Sequence, residues 1–296
     1  KAILFHCFYP FRISCVLGFL WGIIKCDIAY LPKHIDTPLW VLKLARFLNK
    51  PIFSTIEGNV TNKSNMNLIS LFGSSRRMQD HFSYVNHIFA ITQHLIDQSS
   101  SVLNIQSKPL YLGVDISQFT AKISEELTSI VFIGRLIERK GIKEIVQLAS
   151  DFPSISFNII GSGPYKEKLE DYNLSNIILH GLLDHNNINL IFQESDLMFL
   201  PSRSEGFPKV ILEAASAGIP SIVYNTYGAS HWMEHNYNGF IAADLDDVKT
   251  IINGLRDNPK LLRITSEGAV KLAQRFDWKN VIKDWEVVIN ELYNGK

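Results

Sequence analysis

The sequence predicts an α/β protein of two Rossmann-like domains, each a parallel sheet flanked by helices. Three observations carry that expectation. From Ile130 onward, short apolar runs alternate with stretches of helical spacing, the pattern of β-α units around a parallel sheet. Glycine-bearing loops follow several of these runs, at the strand ends where such sheets bind ligands. A length of 296 residues leaves room for two domains.

The first domain is expected over residues 1–112. Its strands are predicted at Ala2–Phe5, Asp27–Leu31, Ile52–Thr55, His87–Ile91 and Pro109–Leu112, with a helix over Leu39–Asn49. The apolar run Val16–Ile24 is too short to span a bilayer and is interrupted by Gly18 and Gly22. It reads as a buried helix leading into the Asp27 strand, with an interfacial anchor as the second reading. Residues 64–80 carry no assignable pattern. The second domain is expected over residues 113–275. Its strands are Ile130–Ile133, Ile155–Ile160, Ile177–Leu179, Asp196–Leu200, Ser221–Tyr224 and Phe240–Ala242. Helices are predicted at Lys140–Ser150, Pro164–Tyr172 and Asn186–Gln193. Residues 276–296 form a closing segment, with an amphipathic helix over Asp277–Tyr293 that carries Trp278 and Trp285.

Composition narrows the function. A hydrophobic content of 46% with 20% charged residues fits a soluble globular protein. Lys plus Arg and Asp plus Glu are both 29, so no bulk charge draws the chain to nucleic acid. The three cysteines, Cys7, Cys15 and Cys26, are odd in number and lack metal-like spacing, which favours reduced thiols and a cytoplasmic setting. No His/Cys cluster suits a metal, and Asp244-Leu245-Asp246 reads as a helix cap. The three Asn-x-Ser/Thr triplets at Asn59, Asn62 and Asn173 read as chance matches in polar loops.

The most informative stretch is DLMFLPSRSEGFPKVILEAASAGIP, residues 196–220. An apolar strand ends at Pro201 and Ser202, Glu205 and Gly206 follow in a loop, and helical spacing begins at Lys209. Pro208 suits a first helical residue, where its missing N–H needs no partner. A strand, a glycine loop and a helix start present free backbone N–H groups to an anion. The stretch Gly206, Phe207, Pro208 and Lys209 is therefore expected to serve phosphate through its backbone. Two acids beside an anion site, Glu205 and Glu213, suit sugar hydroxyls rather than phosphate. Together they suggest a nucleotide-sugar ligand.

The Glu205/Glu213 pair, spaced E-x7-E, resembles that of the retaining glycosyltransferases with two Rossmann-like domains, family 4. Three further segments agree and stand in family order: PLYLGVDISQF (109–119), IVFIGRLIERKGI (130–142) and FNIIGSGPYKEKL (157–169). The resemblance covers Ile88 to the C-terminus well and Asp27–Asn59 more loosely. It implies a GT-B fold with a donor cleft between the domains and a closing helix that returns to the first. Relatives open with a strand and glycine-rich loop not found here, so the first domain is expected to be incomplete and the chain a fragment.

The resemblance also assigns roles. Arg135 and Lys140, five residues apart after the Ile130 strand, would contact the donor diphosphate as the catalytic cations. Glu205 would bind hydroxyls of the transferred sugar and stabilise cationic character at its anomeric carbon. Glu213 would hold the ribose diol, since one carboxylate accepts two hydroxyl hydrogen bonds. Gly161 and Gly163 read as a tight turn at the donor cleft. Lys166 stands where a dinucleotide fingerprint would need its third glycine. Leu182 is expected near the nucleotide base. In Thr55-Ile56-Glu57-Gly58, Glu57 stands where many relatives have a catalytic His; a proton acceptor and a plain loop carboxylate are equal readings of it. His231 stands where relatives usually carry a Glu.

The function so implied is transfer of a hexose, with retention, from a UDP- or GDP-sugar to a glycan or lipid-linked acceptor in surface polysaccharide synthesis. No metal or other cofactor is expected, and a peripheral contact with the inner face of the membrane is allowed. The alternatives are a nucleotide-sugar-binding pseudoenzyme or partner subunit, and a nucleotide-sugar epimerase.

Overall fold

The computed structural model describes residues 12–31, 37–58 and 68–295. The strand expected at Ala2–Phe5 and the triplets at Asn59 and Asn62 lie outside them. Two compact units divide the chain, Lys1–Tyr111 with Ile282–Lys296, and Leu112–Val281.

In the first unit, helix α1 (Arg12–Lys25) leads to β1 (Ala29–Tyr30), and α2 (Leu39–Phe47) to β2 (Ile52–Ile56). The short helices α3 (Leu68–Phe72) and α4 (Ser75–Phe82) occupy the stretch without a sequence pattern, followed by β3 (His87–Ala90) and α5 (Gln93–Ser99). The strands form one parallel sheet in the order β1-β2-β3. All five side chains of β2 are buried, including Ser54 and Thr55. Their hydroxyls are satisfied locally: Ser54 Oγ donates to the Leu31 carbonyl at 2.6 Å, and Thr55 Oγ1 lies 2.9 Å from Tyr30 Oη.

Two expectations are corrected here. The run Val16–Ile24 is helical, but Val16, Leu17, Trp21 and Ile24 are exposed, so α1 is not a buried helix. Among its described side chains Ile23 is buried, and Phe19 meets the Trp40 ring edge-on at 6.5 Å. The run Pro109–Leu112 is not a strand. Pro109 has no N–H to give, and one ladder bond, Leu110 N–H to the Ala90 carbonyl at 2.9 Å, ties the run to β3.

The second unit contains β4 (Ser129–Ile133), α6 (Ile142–Asp151), β5 (Ser156–Ile160), α7 (Lys166–Asp171), β6 (Ile177–Gly181), α8 (His185–Gln193), β7 (Leu197–Leu200), α9 (Lys209–Ser216), β8 (Ser221–Tyr224), β9 (Phe240–Ala242), α10 (Leu245–Asp257) and α11 (Pro259–Arg275). It alternates strand and helix from β4 to β8; 3-10 turns join β8 to β9, and two helices follow. Its six strands are all parallel, in the order β6-β5-β4-β7-β8-β9. The chain thus builds outward from β4 in one direction, then restarts at β7 and builds outward in the other. Strands β4, β7 and β8 are buried along their whole length, as a sheet covered on both faces requires.

Asp196 locks the two central strands at their starts. Its carboxylate accepts from the N–H groups of Thr128 and Ser129 at 3.0 and 3.1 Å and pairs with Lys122 at 3.2 Å. Asp196 itself precedes β7 rather than opening it. At the far edge Asp244 caps α10, accepting from the N–H groups of Asp246 and Asp247. The last helix, α12 (Trp278–Asn294), follows. Its Trp285 belongs to the first unit, where the indole donates to the Tyr111 carbonyl at 2.9 Å and meets the Tyr30 ring edge-on at 5.4 Å. No helix among the described residues is long and apolar enough to cross a membrane.

Candidate functional site

The site is set by topology. Loops that leave β4 and β7 diverge on either side of the crossover, the place where open parallel sheets receive ligands. Both loops carry the residues singled out from sequence.

After β4 the chain makes a turn at Gly134–Leu136 and a short 3-10 turn at Glu138–Lys140. Lys140 therefore lies in the loop, not in the helix expected from it. Gly141 intervenes with φ +74°, and a Cβ there would come within 2.6 Å of Pro201. The β4 and β7 loops are consequently in direct contact. Lys140 Nζ forms an ion pair with Glu205 Oε1, and Arg139 donates to the Ser204 carbonyl at 3.0 Å. Both charged ends of the Lys140–Glu205 pair are shielded, with about 15% of each side chain exposed (14% and 15%). Arg135, in contrast, is exposed and its guanidinium is unpaired among the described residues. Lys140 is thus matched by an acid, while Arg135, five residues before it, has no acidic partner among the described residues.

The glycine turn after β5 closes the same wall. Gly161 has φ +141° and a Cβ on it would stand 1.9 Å from the Gly134 carbonyl oxygen; one on Gly163 would stand 2.5 Å from the Leu136 carbonyl oxygen. Backbone bonds fasten the two loops, Gly134 N–H to the Ile160 carbonyl at 3.0 Å and Leu136 N–H to the Ser162 carbonyl at 2.9 Å. The turn therefore fixes the course of the Arg135 loop. Leu182, just past β6, is 78% exposed.

After β7, Pro208 is the N-cap of α9 and Lys209 its first helical residue, one position later than expected. Pro208 has no N–H, so the backbone donors of this stretch are Gly206, Phe207 and Lys209. The Phe207 ring is buried between Trp232, edge-on at 5.4 Å, and Phe276 at 5.3 Å, which anchors the loop. Glu213 is half-buried one turn into α9. Burial raises its carboxyl above the usual range, while the charges of His185 and Lys209 act the other way.

Glu57 belongs to the first unit. It is exposed just past β2 and accepts from Thr55 Oγ1 at 3.2 Å. That hydroxyl also faces Tyr30, whose pKa is pushed up to about 12, chiefly by burial. His231 is exposed in a 3-10 turn after β8. No group of His, Cys, Asp and Glu that could hold a metal occurs among the described residues.

Several residues of this site carry no sequence signal strong enough to find them. Arg203 forms an ion pair with Glu144 of α6 at 2.6 Å and covers the Tyr224 ring. Tyr227 and Trp232, in the loop after β8, are buried beside the Glu205 loop. Position two before Glu205 hints at Arg203; the others depend on long-range packing.

Comparison with known proteins agrees with this geometry. The family model described as Glycosyl transferases group 1 matches residues 115–271, from the approach to β4 through most of α11. An uncharacterized glycosyltransferase of Haemophilus influenzae is 25% identical over 177 residues, covering 55% of this chain and 49% of that protein. The poly(glycerol-phosphate) alpha-glucosyltransferase of Bacillus subtilis is 25% identical over 290 residues, covering 90% of this chain and 43% of that one. The chain thus spans about half the length of the curated relatives it matches. Among solved structures, Anabaena HepE in complex with UDP superposes with a TM-score of 0.79 at 18% identity, over 94% of this chain and 82% of that one. The architecture is that of the GT-B glycosyltransferases, and the chain belongs to the glycosyl transferases group 1 family.

Proposed function

We propose that the chain is a retaining hexosyltransferase of family 4 type, which moves a hexose from a UDP- or GDP-sugar to a glycan or lipid-linked acceptor. The observation that carries this reading is the meeting of Lys140 and Glu205 at the β4/β7 crossover, beside unpaired Arg135. A nucleotide-sugar offers a match to both kinds of group, anionic phosphates for the cations and hydroxyls for the acids. The UDP bound to HepE and the alpha-glucosyl transfer in the Bacillus relative's name support the choice of ligand. The family match favours transfer over the epimerase and binding-only alternatives.

In the reaction the bond between the anomeric carbon and the diphosphate oxygen breaks, and the diphosphate keeps the electron pair. Arg135 and Lys140 would stabilise that charge. One unit charge at about 4 Å and an effective dielectric of 20 contributes roughly 4 kcal/mol before desolvation. Half of it surviving in the transition state exceeds tenfold in rate. Glu205 would hold the sugar hydroxyls and temper the developing cation, and Glu213 would hold the ribose diol. The acceptor oxygen attacks from the face that the diphosphate leaves, so configuration is retained. Its proton passes to the departing phosphate oxygen. These charges come from side chains, so no metal is required. The setting is the cytoplasm, with a peripheral membrane contact where the acceptor is lipid-linked.

The test is a panel of nucleotide-sugars incubated with the chain and each acceptor class, with the product anomer read by NMR. An α-linked product from an α-linked donor supports the reading. An inverted product, or release of a free epimer without acceptor, contradicts it.

A further inference from the structure

Alternation along β2 puts Phe53 and Thr55 on one face of the first unit's sheet, and Tyr30 at the end of β1 shares that face. The Tyr30 ring is seated by packing. It stacks on Phe53 at 4.7 Å, and Trp285 meets the two rings at 5.4 and 6.4 Å. The Tyr30 hydroxyl lies 2.9 Å from Thr55 Oγ1, which donates to Glu57 Oε1 at 3.2 Å. Proton counting gives the chain a direction. A carboxylate only accepts, so the Thr55 proton goes to Glu57 and the Tyr30 hydroxyl donates to Thr55. The result is a one-way chain from Tyr30 through Thr55 to Glu57. Its middle member is 0% exposed, and its last is exposed.

The chain of hydroxyls ends just past the carboxyl ends of β1 and β2, where open parallel sheets receive ligands. An exposed glutamate gains little stability from a fixed geometry, because water satisfies it and holding one rotamer costs entropy. Here two hydroxyls in series hold one carboxylate oxygen, and bonds in series strengthen one another. A carboxylate held by Oε1 accepts further hydroxyls through Oε2, in charge-assisted bonds stronger than neutral ones. That is the chemistry that recognises a neutral polyol. All three residues belong to the first unit, whereas Arg135, Lys140, Glu205 and Glu213 belong to the second. The hydroxyl is therefore assigned to the acceptor and not to the donor. We infer that Tyr30 and Thr55 are positioning residues that orient Glu57 to accept a hydrogen bond from a hydroxyl of the acceptor, a polyhydroxy group such as a sugar or glycerol unit. The inference rests on the reading of the chain as a glycosyltransferase. Glu57 touches the acceptor; Tyr30 and Thr55 act through it.

Steady-state kinetics on the full chain tests this, with octyl glucoside and a poly(glycerol phosphate) oligomer as the acceptor probes. Glu57→Ala is expected to raise the acceptor KM by about tenfold and Tyr30→Phe by about threefold, the loss of one charged and one neutral hydrogen bond. Thr55→Val keeps the shape but cuts the chain, and it should act like Tyr30→Phe or more strongly. Thr55→Ser restores the hydroxyl and should restore the acceptor KM. In the Glu57→Ala background, Tyr30→Phe is expected to add nothing, because Tyr30 acts only through the carboxylate. The same factor in both backgrounds makes Tyr30 a structural residue and overturns the inference. So does an acceptor KM that Glu57→Ala leaves in place, or a donor KM that rises as much as the acceptor KM. Each of these results leaves transfer itself, and so the proposed function, standing. A wild type that transfers to neither probe, nor to any acceptor of the panel, refutes the proposed function and the inference together.

Discussion

Arg203 meets Glu144 at 2.6 Å and lies over the Tyr224 ring, 4.2 Å from its centroid. The acid loop after β7 is thereby tied to helix α6, which begins just beyond the Lys140 loop. Arg139 makes the reciprocal tie, from the Lys140 loop to the Ser204 carbonyl. Glu205 sits between these two fastenings.

Arg203→Ala is expected to separate function from stability. The guanidinium is half exposed, so its ion pair contributes no more than about 1 kcal/mol to folding. Loss of the tie to α6 leaves Glu205 less well placed, and misplacement at a reacting centre is costly. The expected result is a kcat/KM lower by roughly tenfold with a melting temperature within a few degrees of wild type. Steady-state kinetics and thermal unfolding check the two sides.

Gly161→Ala is expected to damage the fold itself. A Cβ at 1.9 Å from the Gly134 carbonyl cannot be accommodated without moving the Arg135 loop, and φ +141° is foreign to alanine. The cost should exceed about 2 kcal/mol, read as a lower urea midpoint with an unchanged slope. A wild-type midpoint would show that the turn yields freely.

Glu213 gives a pH signature. Its folded carboxyl is raised by burial, so the native state holds this proton more tightly than the unfolded chain. Stability from this group therefore falls as pH rises through the window between the ordinary carboxylate value and the raised one, and the penalty is complete above it. Glu213→Gln should melt higher than wild type at neutral pH, and the gain should vanish below the ordinary carboxylate range. Melting curves from pH 3 to pH 8 follow the difference. A constant difference across that range contradicts the assigned cause.

Activity is expected to persist in EDTA. The proposed charge stabilisation comes from Arg135 and Lys140, and no metal-binding group occurs among the described residues. Complete loss in chelator, restored by Mn²⁺, would point to a metal-dependent donor site instead.

Much of the second unit was legible in the sequence because its elements are locally encoded. Val131–Ile133 and Leu197–Leu200 are continuous apolar runs, and Lys209–Ser216 has helical spacing. Strand order was not legible, since the β4/β7 adjacency joins residues about 70 apart in the chain. The motifs placed Arg135, Lys140, Glu205 and Glu213 on one rim, but the ion pair within that set emerges only from packing. Lys140 was expected in a helix because the left-handed turn at Gly141 leaves no trace in hydrophobic spacing. Local apolarity misled at Val16–Ile24, where the helix formed and the burial did not follow. It misled again at Pro109–Leu112, where an extended run lacks the partners that make a strand.

On the proposed function, the β4/β7 rim of the second unit is expected to bind the nucleotide part of a nucleotide-sugar. Isothermal titration of UDP and GDP into wild type, Arg135→Ala and Glu213→Gln tests it most directly. One nucleotide is expected to bind wild type, and each substitution to weaken it by about tenfold or more, roughly 1.4 kcal/mol. Equal affinity in all three proteins would contradict it.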